Sequence, residues 1–348
     1  MILDGESLAL SPSVELLMRG AEGRGLPGEL KMELFASVVE LTSGICDSVA
    51  DGVAALAELR RAAAEIAAND GLRIAAAGTH PFSDPETQEI AADPRYREFV
   101  GFAGVSARRQ GVSGLHVHVG MPDAEACYAA LEAVLPWLPL VLALSANSPY
   151  LAGAATGLAS NRAEVLAQLP RAGAPPPFGS YEGWEAFVER LVRLGLADDY
   201  TRFWWDVRPH PRFGTLEVRM PDQPTRLEVT AALAALLQAL SVALLRTGGR
   251  AANGASRGDY AQNRWAALRF GPRAELIHPD GTRVARVPEL TAELLELVRP
   301  TTDELGTTAF LDALDGSTCE GERQVEIGAR EGLRAVCVDL VERTVRSA

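Results

Sequence analysis

The strongest constraint in this sequence is a pair of short segments in which apolar side chains alternate with charged or metal-binding ones. The segment GLHVHVG holds His116 and His118 between apolar residues, and the segment GTLEVRM does the same with Glu217 and Arg219. Successive side chains of a β-strand point to opposite faces, so each segment would present its polar pair on one face. The pattern predicts two strands that pack on a core with one side and line a cleft with the other.

Two more segments continue the pattern. Residues 31–42 are predicted to be a strand that carries Glu40, and residues 202–207 a strand that places Asp206 on the same face as Arg208. Any one of these segments, taken alone, is more often a half-exposed strand without a function. Together they collect imidazoles, carboxylates and guanidiniums, the side chains best suited to holding metal ions and anions.

The choice of metal depends on the number of ligands. Two histidines spaced by one residue, His116 and His118, can bind zinc, but no third histidine or cysteine stands nearby to complete a tetrahedral site. Magnesium prefers carboxylate oxygens and phosphates and accepts a nitrogen ligand only occasionally. The better hypothesis is therefore a magnesium site formed by His116 with Glu40 and Glu217.

Charge and cysteine usage argue against several classes of protein. The net charge of −13 over 348 residues disfavours a nucleic-acid partner, which would require a basic surface. The four cysteines form no CxxC pair, which favours reduced thiols over a disulfide framework or a zinc ribbon. The first residues lack the basic and apolar regions of a signal peptide, so a cytoplasmic location is expected.

The chain is predicted to be a single domain, residues 1–348. An apolar stretch at residues 229–245 is short for a membrane span and is expected to be a buried helix, so no membrane contact is predicted. The proline- and glycine-rich residues 170–179 are expected to be a long surface loop inside that domain. Strands and helices mix without a regular βαβ alternation, which indicates an α+β fold with a largely antiparallel sheet.

Standard signatures of nucleotide and hydrolase sites are absent from the sequence. There is no GxxxxGK(S/T) loop, no GxGxxG opening a helix after a strand, and no GxSxG elbow. A Rossmann oxidoreductase and a serine hydrolase of that type therefore lose support. Any nucleotide would have to be held by metal ions and side chains.

Six motifs occur in a fixed order along the chain. They are GTHPF at 78–82, GLHVHVG at 114–120, LSANSPY at 144–150, ASNR at 159–162, WDVRP at 205–209 and FGTLEVR at 213–219. In this order and spacing they resemble the bacterial carboxylate–amine ligases of the glutamate–cysteine ligase type 2 family. The resemblance runs from about Glu33 to the C-terminus.

This resemblance implies a fold and a reaction. The fold is a curved, mainly antiparallel sheet that forms a half-barrel lined by the active site, with helices packed outside, as in glutamine synthetase and the guanido kinases. In the reaction, ATP phosphorylates a carboxylate, an amine attacks the acyl phosphate, and an amide, ADP and phosphate leave; many members make γ-glutamylcysteine. The implied cofactors are ATP and Mg²⁺, the implied partners are small molecules, and a homodimer is expected because most soluble oligomers are of that kind.

The resemblance also implies roles for individual residues. The metal ligands would be Glu40, His116 and Glu217. The catalytic arginines would be Arg219, which could grip a carboxylate or phosphoryl group by paired hydrogen bonds, and, as second choices, Arg162 and Arg208. The substrate contacts would come from Thr79, His80, His118 and Asp206. Structural ion pairing explains the two second-choice arginines equally well, and His80 before a proline could simply stabilise a turn.

The sequence departs from the family at its start. Members normally open with a strand that carries two metal-binding glutamates spaced by one residue, and Glu6 does not replace them. Ala36 also stands where some relatives have an acidic residue. Three hypotheses follow: an active ligase, a non-catalytic relative that binds a nucleotide or an amino acid, and a metal-dependent amide hydrolase that uses His116 and His118.

Overall fold

Short strands and longer helices are interspersed along this chain. The computed structural model describes residues 1–248 and 256–346, and within them each sheet contains two or three strands, all paired antiparallel. The strands are β1 (Ile2–Asp4), β2 (Gly28–Met32), β3 (Val39–Ser43), β4 (Leu72–Ile74), β5 (Val117–Gly120), β6 (Tyr150–Leu151), β7 (Ala154–Ala155), β8 (Val207–His210), β9 (Thr215–Val218), β10 (Glu275–Ile277) and β11 (Val284–Arg286). The helices are α1 (Val14–Ala21), α2 (Val49–Asn69), α3 (Pro94–Ala103), α4 (Val105–Arg108), α5 (Ala124–Val134), α6 (Leu138–Ser145), α7 (Asn161–Leu166), α8 (Tyr181–Arg193), α9 (Leu227–Arg246), α10 (Arg257–Phe270), α11 (Val287–Leu305), α12 (Glu320–Glu331) and α13 (Leu333–Arg346). The expected mixture of helices with antiparallel sheet is present.

The central sheet brings together the strands that carry the charged residues. It contains β5, β9 and β8 in that order, with His118 and Arg208 both directly opposite Glu217. Directly opposed residues of an antiparallel sheet point to the same face, so these three side chains are neighbours. The alternation in the segments GLHVHVG and GTLEVRM therefore predicted the polar face correctly.

The opposite face of the central sheet packs on the main core. Leu216 and Val218 are buried there in one apolar cluster with Leu233 and Leu236 of α9, and Val117 of β5 packs against it. Complete burial of one such side chain is worth about 1.5–3 kcal/mol relative to exposure. Because several of these side chains are buried together, this face anchors the sheet and leaves the polar face to the site.

Helix α9 confirms the prediction of a buried helix at residues 229–245. Two stretches, Ala124–Ser145 and Leu227–Arg246, are apolar and long enough to cross a membrane. However, 78% and 72% of their most apolar windows are buried inside the protein. Burial against other elements explains their composition, because core helices of a globular protein need apolar surface on most sides.

A hairpin replaces the single strand predicted at residues 31–42. Strands β2 and β3 pair with each other, and the chain reverses between them at residues 33–38. The reversal is anchored by Phe35, which is buried in an apolar cluster with Phe99 and Leu166. The alternating pattern could not reveal the turn, because the side chains that stabilise it come from distant parts of the chain.

The strand predicted at residues 202–207 is also wrong in its position. Tyr200–Arg202 forms a 3₁₀ turn, and β8 begins only after the aromatic residues that follow it. Phe203 and Trp205 are buried in an aromatic cluster with Trp184 of α8. These large rings are fixed by packing rather than by strand pairing, and they hold the chain where it enters β8.

Candidate active site

Glu217 is the centre of the site. Arg208 donates to it from Nε to Oε2 at 2.6 Å and from Nη2 to Oε1 at 3.3 Å, and Arg219 donates from Nη1 to Oε1. His116 Nδ1 and His118 Nε2 each lie 4.0 Å from Oε1. The structure therefore brings together five of the residues predicted from the sequence on one face of the central sheet.

The charges around Glu217 set its protonation. Burial alone would raise the pKa of Glu217, but the charges of Arg219 and Arg208 outweigh it and hold that pKa well below its ordinary value. Desolvation in the cleft and the charge of Arg219 hold the pKa of His116 well below its ordinary value, and desolvation also lowers the pKa of His118. At neutral pH the site thus holds a carboxylate, two guanidiniums and two neutral imidazoles.

The two arginines on Glu217 are held differently. Arg208 also donates from Nη1 to the carbonyls of Phe203 at 2.6 Å and Thr201 at 3.1 Å. This extensive bonding favours a structural role for Arg208, in which its guanidinium holds the carboxylate of Glu217 in place. In the described part of the chain, Nε of Arg219 has no hydrogen-bond partner, so this guanidinium retains an unused donor at the site.

A further acidic residue, which the sequence did not predict, lies at the turn end of the β2–β3 hairpin, where the chain leaves β2. Glu33 shares a hydrogen bond with Glu40 and interacts electrostatically with Arg219. Burial, and then the nearby Glu40, raise the pKa of Glu33, because two adjacent carboxylates resist ionising together. A continuous strand would have placed positions 33 and 40 on opposite faces, so only the chain reversal brings them together.

The hairpin carboxylates fit a hard divalent cation. Glu33 and Glu40 offer oxygen ligands, which Mg²⁺ prefers. The raised pKa of Glu33 favours a proton between the two carboxyl groups, and a bound cation would take the place of that proton. Both oxygens of Glu217 already accept hydrogen bonds from arginines, so a metal role for this residue requires Arg219 to shift. Among the described residues, no three His, Cys, Asp or Glu side chains gather as a complete metal site, so phosphates and water would supply the remaining ligands.

Thr79 and His80, both predicted to contact substrate, are buried in the fold. The hydroxyl of Thr79 donates to the carbonyl of Tyr150 at 2.7 Å. In His80, Nδ1 accepts from the N–H of Ser83 at 2.9 Å, so Nε2 carries the proton and donates to the carbonyl of Leu8 at 2.9 Å. Burial lowers the pKa of His80 to about 4, and its contacts favour the turn-stabilising alternative.

Asp206, also predicted to contact substrate, is buried and bonded to α10. Its Oδ2 accepts from the hydroxyl of Tyr260 at 2.8 Å and from Nε of Arg264 at 2.9 Å. Burial and then Asp206 raise the pKa of Tyr260 well above its ordinary value. This cluster joins the chain before β8 to a helix, and these buried partners favour a structural role for Asp206.

Arg162, the third predicted arginine, lies behind the site. It donates to the carbonyls of Arg219 at 2.9 Å and Met220 at 3.0 Å, and its Nη1 is 4.0 Å from Oδ1 of Asp222. The side chain is only 3% exposed. This position favours structural ion pairing over direct binding of an anion from solvent.

An aromatic shelf adjoins the polar centre; we use this term for His118, His210 and Phe213. The rings of His210 and Phe213 stack with centroids 4.2 Å apart and planes 15° apart, and the ring of His118 meets both edge-on. Phe213 is 59% exposed. Desolvation lowers the pKa of both histidines, so the shelf presents uncharged planar rings beside the buried charges of the site.

Comparisons with known proteins agree with this architecture. The family model described as glutamate-cysteine ligase family 2 matches residues 8–331. "Putative glutamate--cysteine ligase 2-3" of Rubrobacter xylanophilus is 40% identical over 99% of this chain and 94% of its own length. "Putative glutamate--cysteine ligase 2" of Sorangium cellulosum is 39% identical over 99% of this chain and 93% of its own length.

Two solved structures share the fold at low sequence identity. Glutamate–cysteine ligase of Francisella tularensis in complex with AMP has a TM-score of 0.70 at 13% identity, over 99% of this chain and 86% of that one. The ligase PafA in complex with the ubiquitin-like protein Pup has a TM-score of 0.51 at 13% identity, over 99% of this chain and 66% of that one.

The family match and the shared fold are those of an ATP-dependent carbon–nitrogen ligase. The match over most of the chain makes the assignment more specific. The chain belongs to glutamate–cysteine ligase family 2, as its six ordered motifs predicted.

Proposed function

We propose that this protein uses ATP and Mg²⁺ to join the carboxylate of a small molecule to an amine, with glutamate and cysteine as the first pair of substrates to test. The observation that carries the proposal is the polar centre itself. Glu217, two guanidiniums and two neutral imidazoles share one sheet face, and Arg219 links them to the acidic pair on the hairpin. The names of the relatives support the choice of glutamate and cysteine.

In this proposal the chemistry proceeds in two steps. A carboxylate oxygen of the acid attacks the γ-phosphorus of ATP, the bond to the bridging oxygen breaks, and ADP leaves. The amine nitrogen then attacks the acyl carbon, the carbon–oxygen bond to phosphate breaks, and the amine loses a proton. Arg219, with its unused donor, would neutralise charge on the transferred phosphoryl group, and the neutral imidazole of His118 is able to accept the proton.

A divalent cation is part of the proposal. We assign its first ligands to Glu33 and Glu40, with His116 and Glu217 as the further ligands expected from the sequence. When bound, Mg²⁺ would reduce the repulsion between the phosphates and the incoming carboxylate. Glu33 is an addition to the predicted ligands, and its place next to Glu40 on the hairpin is the reason for including it.

The aromatic shelf is the proposed contact for the base of the nucleotide. Its rings are uncharged at neutral pH, so it suits an uncharged planar base better than a carboxylate or an ammonium group. His118 belongs both to the shelf and to the surroundings of Glu217, so a base on Phe213 would lie beside the polar centre.

The remaining features of the proposal concern the whole chain. We propose that the hairpin and the central sheet form two walls of a half-barrel within a single domain spanning residues 1–348. A cytoplasmic location and a homodimer also belong to the proposal, and sedimentation of the purified protein tests the oligomeric state.

The deciding experiment is an ADP-release assay with Mg²⁺, ATP, glutamate and a panel of amines that includes cysteine. We expect ADP only when an acid and an amine are both present, and no ADP after chelation of the metal. Arg219→Lys should abolish most of the activity, whereas Arg246→Lys should leave it intact, because Arg246 pairs with Glu304 on the surface. Nucleotide binding without turnover across the panel would instead support the non-catalytic relative.

The amide-hydrolase alternative has less support in the structure. A third histidine, His210, lies beside His118, but among the described residues no three His, Cys, Asp or Glu side chains gather as a group that could hold a metal ion. One equivalent of zinc in the purified protein, together with amide hydrolysis in the absence of ATP, would favour that alternative over the ligase.

A further inference from the structure

A buried polar cluster lies beside the chain that follows the strand carrying Glu217. Asp222 accepts hydrogen bonds from the N–H of Asn147 at 2.9 Å, from Oγ of Ser148 at 2.6 Å and from Oγ of Ser160 at 2.8 Å. Its Oδ1 also lies 4.0 Å from Arg162. The carboxylate therefore draws together two of the ordered sequence motifs, LSANSPY and ASNR, that the catalytic chemistry does not itself require.

Arg162 connects this cluster to the site. Its two terminal nitrogens donate to the carbonyls of Arg219 and Met220, at 2.9 Å and 3.0 Å. The guanidinium also packs so closely on Gly114 that a Cβ there would lie 2.0 Å from Nη2. One planar group thus holds the backbone of Arg219 and lies against the segment that leads into His116.

The position of Arg162 leaves it little opportunity to meet a substrate. The side chain is almost completely buried; its terminal nitrogens bind the two carbonyls, Asp222 lies 4.0 Å away, and its buried Nε has no hydrogen-bond partner among the described residues. Lysine could keep the charge but could not donate to both carbonyls with the same fixed geometry, because its ammonium lacks the planar fork of a guanidinium.

We infer that Arg162 and Asp222 form a positioning pair, which fixes the backbone of Arg219 so that its guanidinium is directed at the reacting phosphoryl group. Neither residue touches substrate in this scheme. The inference rests on the proposed function of Arg219, and it assigns the motifs LSANSPY and ASNR to the support of that residue.

A double-mutant cycle tests the inference. We expect Arg162→Lys to lower kcat roughly ten- to hundredfold, because a displacement of a catalytic group by a fraction of an ångström to 1 Å has effects of that size. The KM for ATP should change less than about threefold, since no contact with ATP is lost. In an Arg219→Lys background, Arg162→Lys should reduce kcat by no more than about twofold, because the group that it positions has already been changed. Independent, multiplying losses would overturn the inference and make Arg162 a substrate contact.

Arg60→Lys is the matched control. Arg60 is a buried arginine that also donates to two consecutive carbonyls, those of Thr225 at 2.6 Å and Pro224 at 3.1 Å. It should lose a similar amount of stability in urea unfolding while keeping kcat. A comparable loss of kcat in Arg60→Lys would show that any buried arginine of this kind affects activity, and would overturn the specific role of Arg162.

A second measurement does not depend on turnover. The Nε–Hε NMR signal of Arg219, identified by its loss in Arg219→Lys, should shift in Arg162→Lys and in the milder Ser160→Ala, which removes one hydrogen bond to Asp222. It should stay in place in Arg60→Lys. An unchanged signal in Arg162→Lys would overturn the positioning role, whereas a wild-type protein without turnover would refute the ligase function and leave this result valid.

Discussion

Replacing Glu217 with glutamine tests the polar centre through stability. The side chain is 2% exposed and bonded to two guanidiniums, so glutamine would leave both arginines without their shared negative charge. Removing one partner of a buried ion pair usually costs about 3–5 kcal/mol. Arg208 keeps its carbonyl acceptors and Arg219 keeps its interaction with Glu33, so we expect the lower end of this range, about 3 kcal/mol.

The assay for Glu217→Gln is urea unfolding across a range of pH. The pKa of Glu217 is held well below its ordinary value, so its ionised form stabilises the folded state above the unfolded pKa, and that contribution is lost as the pH falls through the folded pKa. The difference from wild type should therefore be complete at pH 7 and shrink below about pH 4.5. Glu304→Gln, on the surface, is the control and should change little. A loss at pH 7 below about 1 kcal/mol would refute the view that Glu217 is the electrostatic centre.

Three further predictions follow from the same contacts. Glu33→Gln should raise the free energy of unfolding at pH 7 without Mg²⁺, because it removes a carboxylate whose pKa is raised by burial. Urea titrations should show no such gain below about pH 4.5, where the wild-type residue is protonated in both the folded and the unfolded state. The variant should also lose Mg²⁺ binding. His80→Asn should lower the free energy of unfolding at pH 7 by about 1–3 kcal/mol. Wild type should lose stability as the pH falls from 6.5 to about 4, and the variant should not show this loss. Unchanged ATP affinity in a calorimetric titration would confirm the structural role of His80. Phe213→Ala should raise the KM for ATP about tenfold with little change in kcat, whereas an unchanged KM would remove the shelf from the nucleotide site.

The polar face of the central sheet could be predicted because it depends on a local rule. His118, Glu217 and Arg219 follow from the period of two along a strand, and no knowledge of the rest of the fold is needed to place them on one side. Glu33 could not be found in this way. Its approach to Glu40 depends on a chain reversal whose anchor is buried by residues from other elements.

The burial of Thr79, His80 and Arg162 could not be predicted from the sequence pattern either. The motifs that contain Thr79, His80 and Arg162 identified the family, but a motif does not state which of its side chains face a ligand and which support the wall. That distinction depends on packing between segments far apart in the chain. His80 and Arg162 donate hydrogen bonds to backbone carbonyls. Every residue carries a backbone carbonyl, so the identity of the side chains in the sequence does not indicate these partners.

The hairpin and the central sheet pack on different helices. Leu30 of the hairpin packs with Leu17 and Ile66 of α1 and α2, whereas Leu216 of the sheet packs with Leu236 of α9. The carboxylates that would take the cation and the guanidinium that would grip the phosphoryl group are thus carried by two walls of the proposed half-barrel that pack on different helices. Repacking beneath only one wall would alter the spacing between them, which offers a route to new acid and amine preferences with every catalytic side chain retained.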